Sequence, residues 1–122
     1  MRCIIVDTSS IMFGVEKRAD VFQRLREKYR GCTIVLPNGV LAELRKVARS
    51  RRVNRKYAAV ALKIIDKHNP EIVPSGPYVD RWLLRKAPPM KCIVCTNDTQ
   101  LKRRLKLKGV RTVGLAMGGV IR

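Results

Sequence analysis

Cys3-Ile4-Ile5-Val6-Asp7-Thr8-Ser9-Ser10 is an apolar run that ends on a carboxylate followed by three hydroxyl side chains. The run has no polar alternation, which predicts a strand buried on both faces, as in parallel sheets covered by helices on both sides. Ligands of such sheets bind at the carboxyl ends of the strands, where Asp7 would lie. The pattern recurs in Cys92-Ile93-Val94-Cys95-Thr96-Asn97-Asp98. Two such strands side by side would bring Asp7 and Asp98 together.

Strand and helix patterns alternate along the whole chain. Apolar runs predict strands over about residues 3–7, 33–36, 71–73 and 111–115, with a further strand beginning at Cys92. Apolar residues at helical spacing predict helices over 20–29, 40–48, 57–67 and 78–89, and a fifth that contains Leu101 and Leu105 and is closed by Gly109. This alternation predicts one three-layer α/β domain over residues 1–122.

Charge narrows the range of functions. The chain has 27 Lys and Arg against 9 Asp and Glu, which gives a net charge of +18. Because self-repulsion on this scale costs stability, a polyanion is the expected partner, and we expect nucleic acid binding. Basic helices also occur in thermophile proteins, but those usually carry matching Glu. With three Tyr, two Phe and one Trp, phosphate contacts should dominate over base stacking. The bases expected to contact the nucleic acid are Arg49, Arg51, Arg52, Arg55, Lys56, Lys102 and Arg103.

The pattern of apolar residues argues against a membrane protein. No run approaches the roughly 18 apolar residues needed to span a bilayer. The few residues before Asp7 are also too short for a secretory signal. We therefore expect a cytoplasmic protein without a membrane partner.

The cysteines and the single histidine predict structural roles. Cys3, Cys32, Cys92 and Cys95 lie in or beside predicted strands, which favours reduced thiols in the core. Cys92 and Cys95 have the spacing of a zinc motif, but the sequence has no second Cys or His pair to complete four ligands. His68 stands where a helix should end before a proline, which favours a C-terminal capping role.

Four of the nine acids stand at strand ends or on helices that face the sheet. Asp98 could simply cap a helix, and Asp80 could simply favour the positive end of one, effects worth about 1 kcal/mol each. Asp7 and Glu43 are harder to explain in this way. Glu43 is expected on the edge of an apolar stripe, and a carboxylate near a core costs several kcal/mol unless it is paired, protonated or metal-bound. Clustered carboxylates on a basic protein suit a hard cation, Mg²⁺ or Mn²⁺.

The acids and their surroundings resemble the PIN domain family, the metal-dependent ribonuclease fold of VapC-type toxins and of nucleases that mature ribosomal RNA. The matching stretches are Ile5-Val6-Asp7-Thr8-Ser9, Val40-Leu41-Ala42-Glu43-Leu44, Tyr78-Val79-Asp80, and Cys95-Thr96-Asn97-Asp98 ahead of Leu101-Lys102-Arg103-Arg104-Leu105. The resemblance covers nearly the whole chain and is strongest to compact archaeal PIN proteins similar to the small-subunit rRNA-processing nucleases. It implies a five-stranded parallel sheet ordered 3-2-1-4-5, with catalytic acids that match Asp7, Glu43, Asp80 and Asp98 around one or two metal ions.

The resemblance also assigns roles to neighbouring residues. Thr96 and Asn97 match a position that often holds polar residues beside the metal, and with Ser9 they are expected to orient water or the metal ligands. One departure concerns Asp80, because relatives often carry two adjacent acids there and this chain has Arg81 next. A phosphatase of the haloacid dehalogenase type fits less well, since it would need an acid where Ser9 stands. A receiver domain would need a phosphoacceptor Asp at the end of a mid-chain strand, and the chain has none.

The function implied by the resemblance is hydrolysis of RNA phosphodiester bonds by a Mg²⁺- or Mn²⁺-dependent endoribonuclease, in rRNA or other RNA processing. RNA is the implied partner, and a homodimer is an open alternative to a monomer. Two other functions stay open. One is a catalytically silent PIN domain that scaffolds RNA or a ribosomal precursor, and the other is a VapC-like toxin ribonuclease.

Overall fold

The computed structural model describes residues 2–122. Its five strands are β1 (Cys3–Val6), β2 (Thr33–Pro37), β3 (Glu71–Val73), β4 (Ile93–Cys95) and β5 (Thr112–Val113). They form one parallel sheet in the order β3-β2-β1-β4-β5. Ile4 of β1 pairs with Ile34 on one side and with Ile93 on the other, so β1 is the central strand. The α/β class and the sheet order 3-2-1-4-5 are therefore confirmed.

Six helices connect these strands. They are α1 (Thr8–Glu16), α2 (Val21–Lys28), α3 (Asn38–Ala48), α4 (Arg55–His68), α5 (Val79–Met90) and α6 (Thr99–Leu107), and a 3₁₀ turn (Met117–Gly119) follows β5. Since parallel crossovers are right-handed, α1 to α4 cover one face of the sheet and α5 and α6 cover the other. The core between these layers is apolar and centres on β1, whose Ile4, Ile5 and Val6 are fully buried. Within residues 2–122, no helix has the length and apolar character needed to cross a membrane.

Helix α1 is the element that the sequence did not predict. It begins directly after Asp7, and its first turn contains Thr8, Ser9 and Ser10, which are weak helix formers. Tertiary contacts hold it in place. The buried Ser10 hydroxyl lies 2.9 Å from the carbonyl oxygen of Asp7 and 3.2 Å from that of Cys95. Gly14 packs so closely that an added Cβ would lie 2.4 Å from the carbonyl oxygen of Ala19.

The cysteines differ from the expected set of reduced thiols. Cys3 and Cys92 form a disulfide, with their Cα atoms 4.8 Å apart. Since Ile4 pairs with Ile93, the two preceding cysteines face each other where β1 and β4 begin. The prediction was wrong for this pair. Cys32 and Cys95 are free, and burial raises the pKa of the Cys95 thiol to about 12.

His68 joins two helices in place of the expected capping role. Helix α4 ends before Pro70 as predicted, but its C-cap is Asn69, which adopts the left-handed conformation at φ 47°. The Nε2 atom of His68 lies 2.6 Å from Oδ2 of Asp20, and the ring stacks on Phe22 at 5.4 Å between centroids. Asp20 also caps α2 through its other oxygen. The pair thus ties the end of α4 to the start of α2.

Candidate active site

Asp7 and Asp98 lie at the carboxyl edge of the sheet, on neighbouring strands. Asp7 directly follows β1, and Asp98 lies three residues beyond the end of β4. The two strands pair in parallel, and the Asp7 N–H donates to the carbonyl oxygen of Cys95 at 2.9 Å. Asp7 is only 6% exposed, whereas Asp98 is partly buried. The sheet therefore positions the two acids at one edge, as the sequence pattern indicated.

The Asp7 carboxylate is anchored through one oxygen. Its Oδ2 accepts from the Ser9 hydroxyl at 2.9 Å and from the Thr96 hydroxyl at 2.8 Å. These hydroxyls in turn accept the backbone N–H groups of Asn97 and Asp98, at 2.9 and 3.1 Å. Each hydroxyl hydrogen is thus available to Asp7. Within residues 2–122 no group donates to Oδ1 of Asp7, so this oxygen is free to bind a cation.

The side chains of Asp98 and Asn97 have different hydrogen-bond partners. Oδ1 of Asp98 accepts the Leu101 N–H at 3.1 Å and caps α6, while its Oδ2 makes no hydrogen bond in the described part of the chain. A capping role and a ligand role are therefore compatible. The Asn97 side chain was expected to orient water or metal ligands. Its amide binds the backbone of Leu115 in both directions, at 2.8 and 2.9 Å, and ties the segment after β5 to the end of β4.

Glu43 reaches the site from α3. It is exposed, so the expected orientation toward the core was wrong. Its Oε2 accepts from the Thr8 hydroxyl at 3.1 Å, a partner that sequence reasoning missed although Thr8 directly follows Asp7. Partial desolvation raises the pKa of Glu43, and the negative charges of Asp7 and Asp80 raise it further, while Thr8 and Arg52 oppose the change.

Asp80 enters the site in the first turn of α5 and is exposed. Its carboxylate makes no hydrogen bond to any residue that the structure describes. Desolvation raises the pKa of Asp80, and the charges of Asp7 and Asp98 add to the effect, whereas Arg104 opposes it. The neighbouring Arg81 does not pair with Asp80, because its guanidinium carbon lies 5.2 Å above the centre of the Tyr78 ring.

The four acids form an electrostatic cluster that is not a preassembled metal site. In residues 2–122 no Lys or Arg lies within ion-pair distance of an acid, and the only basic side chain that contacts one is His68 at Asp20, so none of the four carboxylates is neutralised by a Lys or Arg. Across the same residues, no group of three or more His, Cys, Asp or Glu side chains is close enough to hold a metal ion as it stands. The acids therefore repel one another from nearby positions without converging on one point.

The basic residues expected to bind RNA divide into two groups. Six of them are exposed: Arg49, Arg51 and Arg52 in the connector between α3 and α4, Arg55 and Lys56 at the start of α4, and Arg103 in α6. Lys102 differs, because it is partly buried against Gly114, where an added Cβ would lie 2.5 Å from its Nζ. Since the charge of Arg52 lowers the pKa of Glu43, the connector lies within electrostatic range of the acids.

Two cavities meet at Glu43. One, of about 310 Å³, is lined by Glu43, Pro77, Tyr78, Val79, Asp80 and Arg81. The other, of about 230 Å³, shares Glu43 and Pro77 with it and extends to Lys46. A larger cavity of about 400 Å³ lies at the amino ends of the strands, beside the disulfide, and no carboxylate lines it. The acidic edge of the sheet is thus open on the side of α3 and α5.

Five parallel strands in this order, with four carboxylates near their carboxyl ends, define an α/β domain with an acidic site. The chain belongs to the PIN-like domain family, whose family model matches residues 4–117. It is 35% identical over 111 residues to ribonuclease VapC9 of Archaeoglobus fulgidus, which covers 90% of this chain and 80% of the relative. The resemblance read from the sequence is therefore confirmed, and the family is one of nucleases.

Other relatives act in ribosomal RNA processing, according to their names. The rRNA-processing protein FCF1 homolog of Homo sapiens is 34% identical over 113 residues, which is 88% of this chain and 54% of the relative. The chain thus spans about half the length of that protein. The structure of the PIN domain endonuclease Utp24 superimposes with a TM-score of 0.81 at 28% identity, over 98% of this chain and 89% of that one. VapBC2 of Rickettsia felis, with a TM-score of 0.66 at 15% identity over 93% of this chain and 99% of that one, shares the fold.

Proposed function

We propose that this protein is a metal-dependent endoribonuclease that hydrolyses phosphodiester bonds in rRNA precursors or other RNA. The observation that carries the proposal is the pair of acids at the ends of two adjacent strands, Asp7 and Asp98, each with one oxygen anchored and one oxygen free. Glu43 and Asp80 lie within electrostatic range of them. The names of the curated relatives, a ribonuclease and an rRNA-processing protein, agree with RNA as the substrate.

The donor set fits Mg²⁺ or Mn²⁺, which prefer carboxylate oxygens. Asp7 and Asp98 would hold the principal ion, and Glu43 and Asp80 would complete the site or hold a second ion. Because the acids do not converge as they stand, the exposed side chains of Glu43 and Asp80 would have to move inward on binding. When bound, such an ion lowers the pKa of a coordinated water and neutralises charge that develops on the phosphate.

The chain's own residues orient the acids and bind the substrate. Ser9 and Thr96 hold the Asp7 carboxylate in one orientation, and Thr8 holds one oxygen of Glu43. The α6 cap restrains Asp98 in the same way. The exposed bases between α3 and α4 would bind phosphates of the RNA backbone. Nucleophilic catalysis by a side chain is not part of the proposal, since no Ser or Cys of the site has a basic partner.

Two other functions keep specific support. A catalytically silent RNA scaffold is favoured by Arg81, which stands where relatives often have a second acid, and by the lack of a preassembled metal group in residues 2–122. A toxin ribonuclease is favoured by the name of the Archaeoglobus relative. A cognate antitoxin that inhibits cleavage would distinguish the toxin from a processing nuclease.

The proposal is tested by incubating single-stranded and structured RNA with the protein in Mg²⁺, in Mn²⁺ and in EDTA. Cleavage is expected with either metal and not in EDTA. Asp7→Asn should abolish cleavage while RNA binding persists. Asp66→Asn, which changes an exposed acid of α4 outside the site, should cleave like the wild type. Activity in EDTA would refute the metal dependence, and binding without cleavage under every condition would favour the scaffold.

A further inference from the structure

Tyr78 and Arg81 form a cation–π pair at the rim of the acidic site. The Tyr78 side chain is 67% exposed, the most exposed aromatic group among residues 2–122, and the Arg81 guanidinium lies over its ring at 5.2 Å. A guanidinium on an aromatic ring is a common surface contact and by itself implies no ligand. The location is what distinguishes this pair, because both residues line the 310 Å³ cavity together with the site acids Glu43 and Asp80.

The segment that carries Tyr78 is fastened to the start of α3. The Asn38 side-chain oxygen accepts from the Ser75 N–H at 2.9 Å, and the Gly39 N–H donates to the Ser75 hydroxyl at 3.0 Å. The loop approaches so closely that a Cβ on Gly39 would lie 2.4 Å from the carbonyl oxygen of Gly76. Since α3 also carries Glu43, the backbone before Tyr78 is held at a fixed place relative to the helix that carries that acid.

The cavity has the size and the charges for a nucleotide. Its volume of about 310 Å³ is at the lower end of the range, roughly 300–1,000 Å³, in which small ligands bind. Arg81 supplies a positive charge in this cavity, and Lys46 supplies another in the adjoining cavity beyond Glu43. An RNA strand that passed the acids could therefore place a base in the first cavity and a phosphate beside Lys46.

We propose that Tyr78 and Arg81 form a base-stacking subsite that takes one unpaired nucleobase of single-stranded RNA beside the scissile phosphate. This inference rests on the proposed function. Nucleobases stack on tyrosine rings and on guanidinium planes, and this mode of binding requires a base that is not already stacked within a duplex. The subsite gives Arg81 a role other than neutralising Asp80, and it selects single-stranded substrates.

The subsite is tested by binding measurements in the Asp7→Asn background, which separates affinity from cleavage. Fluorescence anisotropy would compare a short single-stranded RNA with versions that carry one abasic nucleotide, scanned through every position. Tyr78→Ala should weaken binding of the intact RNA by about tenfold, whereas Tyr78→Phe, which keeps the ring, should bind like the parent. When the abasic nucleotide stands at the subsite position, the parent protein should bind that RNA more weakly by the same factor. Tyr78→Ala should then cause no further loss of affinity. Tyr78→Ala should also leave the affinity for a blunt RNA duplex unchanged.

Two variants serve as matched comparisons. Arg81→Lys keeps the charge but removes the planar group, and it should lose part of the affinity for the intact RNA only. Tyr57→Ala removes the other exposed tyrosine, which lines neither of the two cavities at Glu43, and it should show no coupling to the abasic position. Coupling of Tyr57 to the same position, or equal affinities of Tyr78→Ala and parent, would overturn the subsite.

The failure of the subsite and the failure of the proposed function give different results. If the wild type cleaves RNA but Tyr78 shows no coupling to any base, only the subsite is wrong. If the wild type cleaves no RNA in any metal but the coupling is present, the nuclease proposal fails and the subsite belongs to an RNA-binding protein. Absence of any binding to single-stranded RNA overturns both.

Discussion

The Thr96 hydroxyl donates to Oδ2 of Asp7 over 2.8 Å and accepts the N–H of Asp98 over 3.1 Å. A single fully buried side chain therefore links the carboxylate that follows β1 to the backbone of the acid that lies beyond β4. The Ser9 and Thr96 hydroxyls, which lie 3.0 Å apart, both contact Oδ2 of Asp7, so the carboxylate is held without a positively charged partner. Such support suits a cation ligand, which must remain charged and accessible on its other oxygen.

Replacing Thr96 tests this support directly. Thr96→Val keeps the shape but removes the hydroxyl and its contacts with Asp7, Asp98 and Ser9, so it should lower the free energy of unfolding in EDTA by about 1–3 kcal/mol. It should also reduce metal-dependent cleavage by about 10–100-fold. Thr96→Ser keeps the hydroxyl and should retain most of both properties. Urea unfolding and initial cleavage rates measure the two effects, and equal behaviour of the Val and Ser variants would contradict the role of the hydroxyl.

The sequence predicted the parts of the fold that depend on local pattern. The apolar run before Asp7 and its repeat before Asp98 indicated two buried strands that end at the same edge of one sheet, and β1 and β4 pair in parallel as neighbours. Helix α1 was missed because Ser10 and Gly14 look like helix breakers until their tertiary contacts are known. Local propensity is weak in that segment, and packing against Ala19 and the end of β4 decides its conformation.

Features that depend on register or on side-chain direction could not be predicted. The disulfide arises because the pairing of β1 with β4 aligns Cys3 with Cys92, and that alignment is a tertiary property. Spacing alone placed Glu43 on the edge of the apolar stripe of its helix, near the core, but a position on the edge of a stripe can also face a groove. Whether the acids converge depends on rotamers, which a sequence pattern does not specify.

The disulfide predicts how many thiols titrate before and after reduction. Without reductant and in denaturant, thiol titration should find the two free cysteines, Cys32 and Cys95, and four thiols after reduction. Because the bridge closes a separation of 89 residues, reduction should lower the free energy of unfolding by about 2–5 kcal/mol. Cys3→Ser should reproduce this loss and abolish the effect of reductant. Four titratable thiols in the unreduced protein would show that the bridge does not form in solution.

The basic connector between α3 and α4 should determine the salt dependence of RNA binding. Replacing Arg51 and Arg52 together by Ser should reduce the slope of log affinity against log salt concentration by about two, because each phosphate contact releases about one counterion. A second double variant, Lys91→Ser with Lys108→Ser, removes the same charge from the cavity at the amino ends of the strands and should change the slope less. Anisotropy titrations over a range of salt give the slopes, and equal slopes for both variants would mean that RNA has no preferred surface.

The raised pKa values of Glu43 and Asp80 predict how stability depends on pH. An acid whose pKa is higher in the folded state binds more protons when the protein is folded, so its contribution to stability falls as the pH rises. The loss begins above the ordinary pKa, which is 4.5 for Glu43 and 3.8 for Asp80, and is complete above the raised pKa of the folded state. In EDTA at neutral pH, Glu43→Gln and Asp80→Asn should therefore be more stable than the wild type. The gain should disappear below the ordinary values, where both acids are protonated in both states. Urea unfolding at the two pH values measures the gain, with Asp66→Asn as the control, and a gain that persists in acid would need another cause.

Metal binding should change the melting temperature only if the acids act as one site. Like charges near the ends of β1 and β4 repel each other in EDTA, and a cation that binds them relieves the repulsion, so Mn²⁺ should raise the melting temperature of the wild type. Asp7→Asn, Glu43→Gln and Asp98→Asn should each gain less, from an equal or higher value in EDTA.

The choice of substitution at Asp98 separates its charge from its capping role. Asparagine still accepts the Leu101 N–H and caps α6, so Asp98→Asn tests only the charge. Asp98→Ala removes the cap as well and should destabilise the protein by about 1 kcal/mol with or without Mn²⁺. Differential scanning fluorimetry in EDTA and in millimolar Mn²⁺ makes the comparison. If the wild type and all the acid variants respond identically to Mn²⁺, the carboxylates do not share an ion, and the metal-dependent nuclease loses its physical basis.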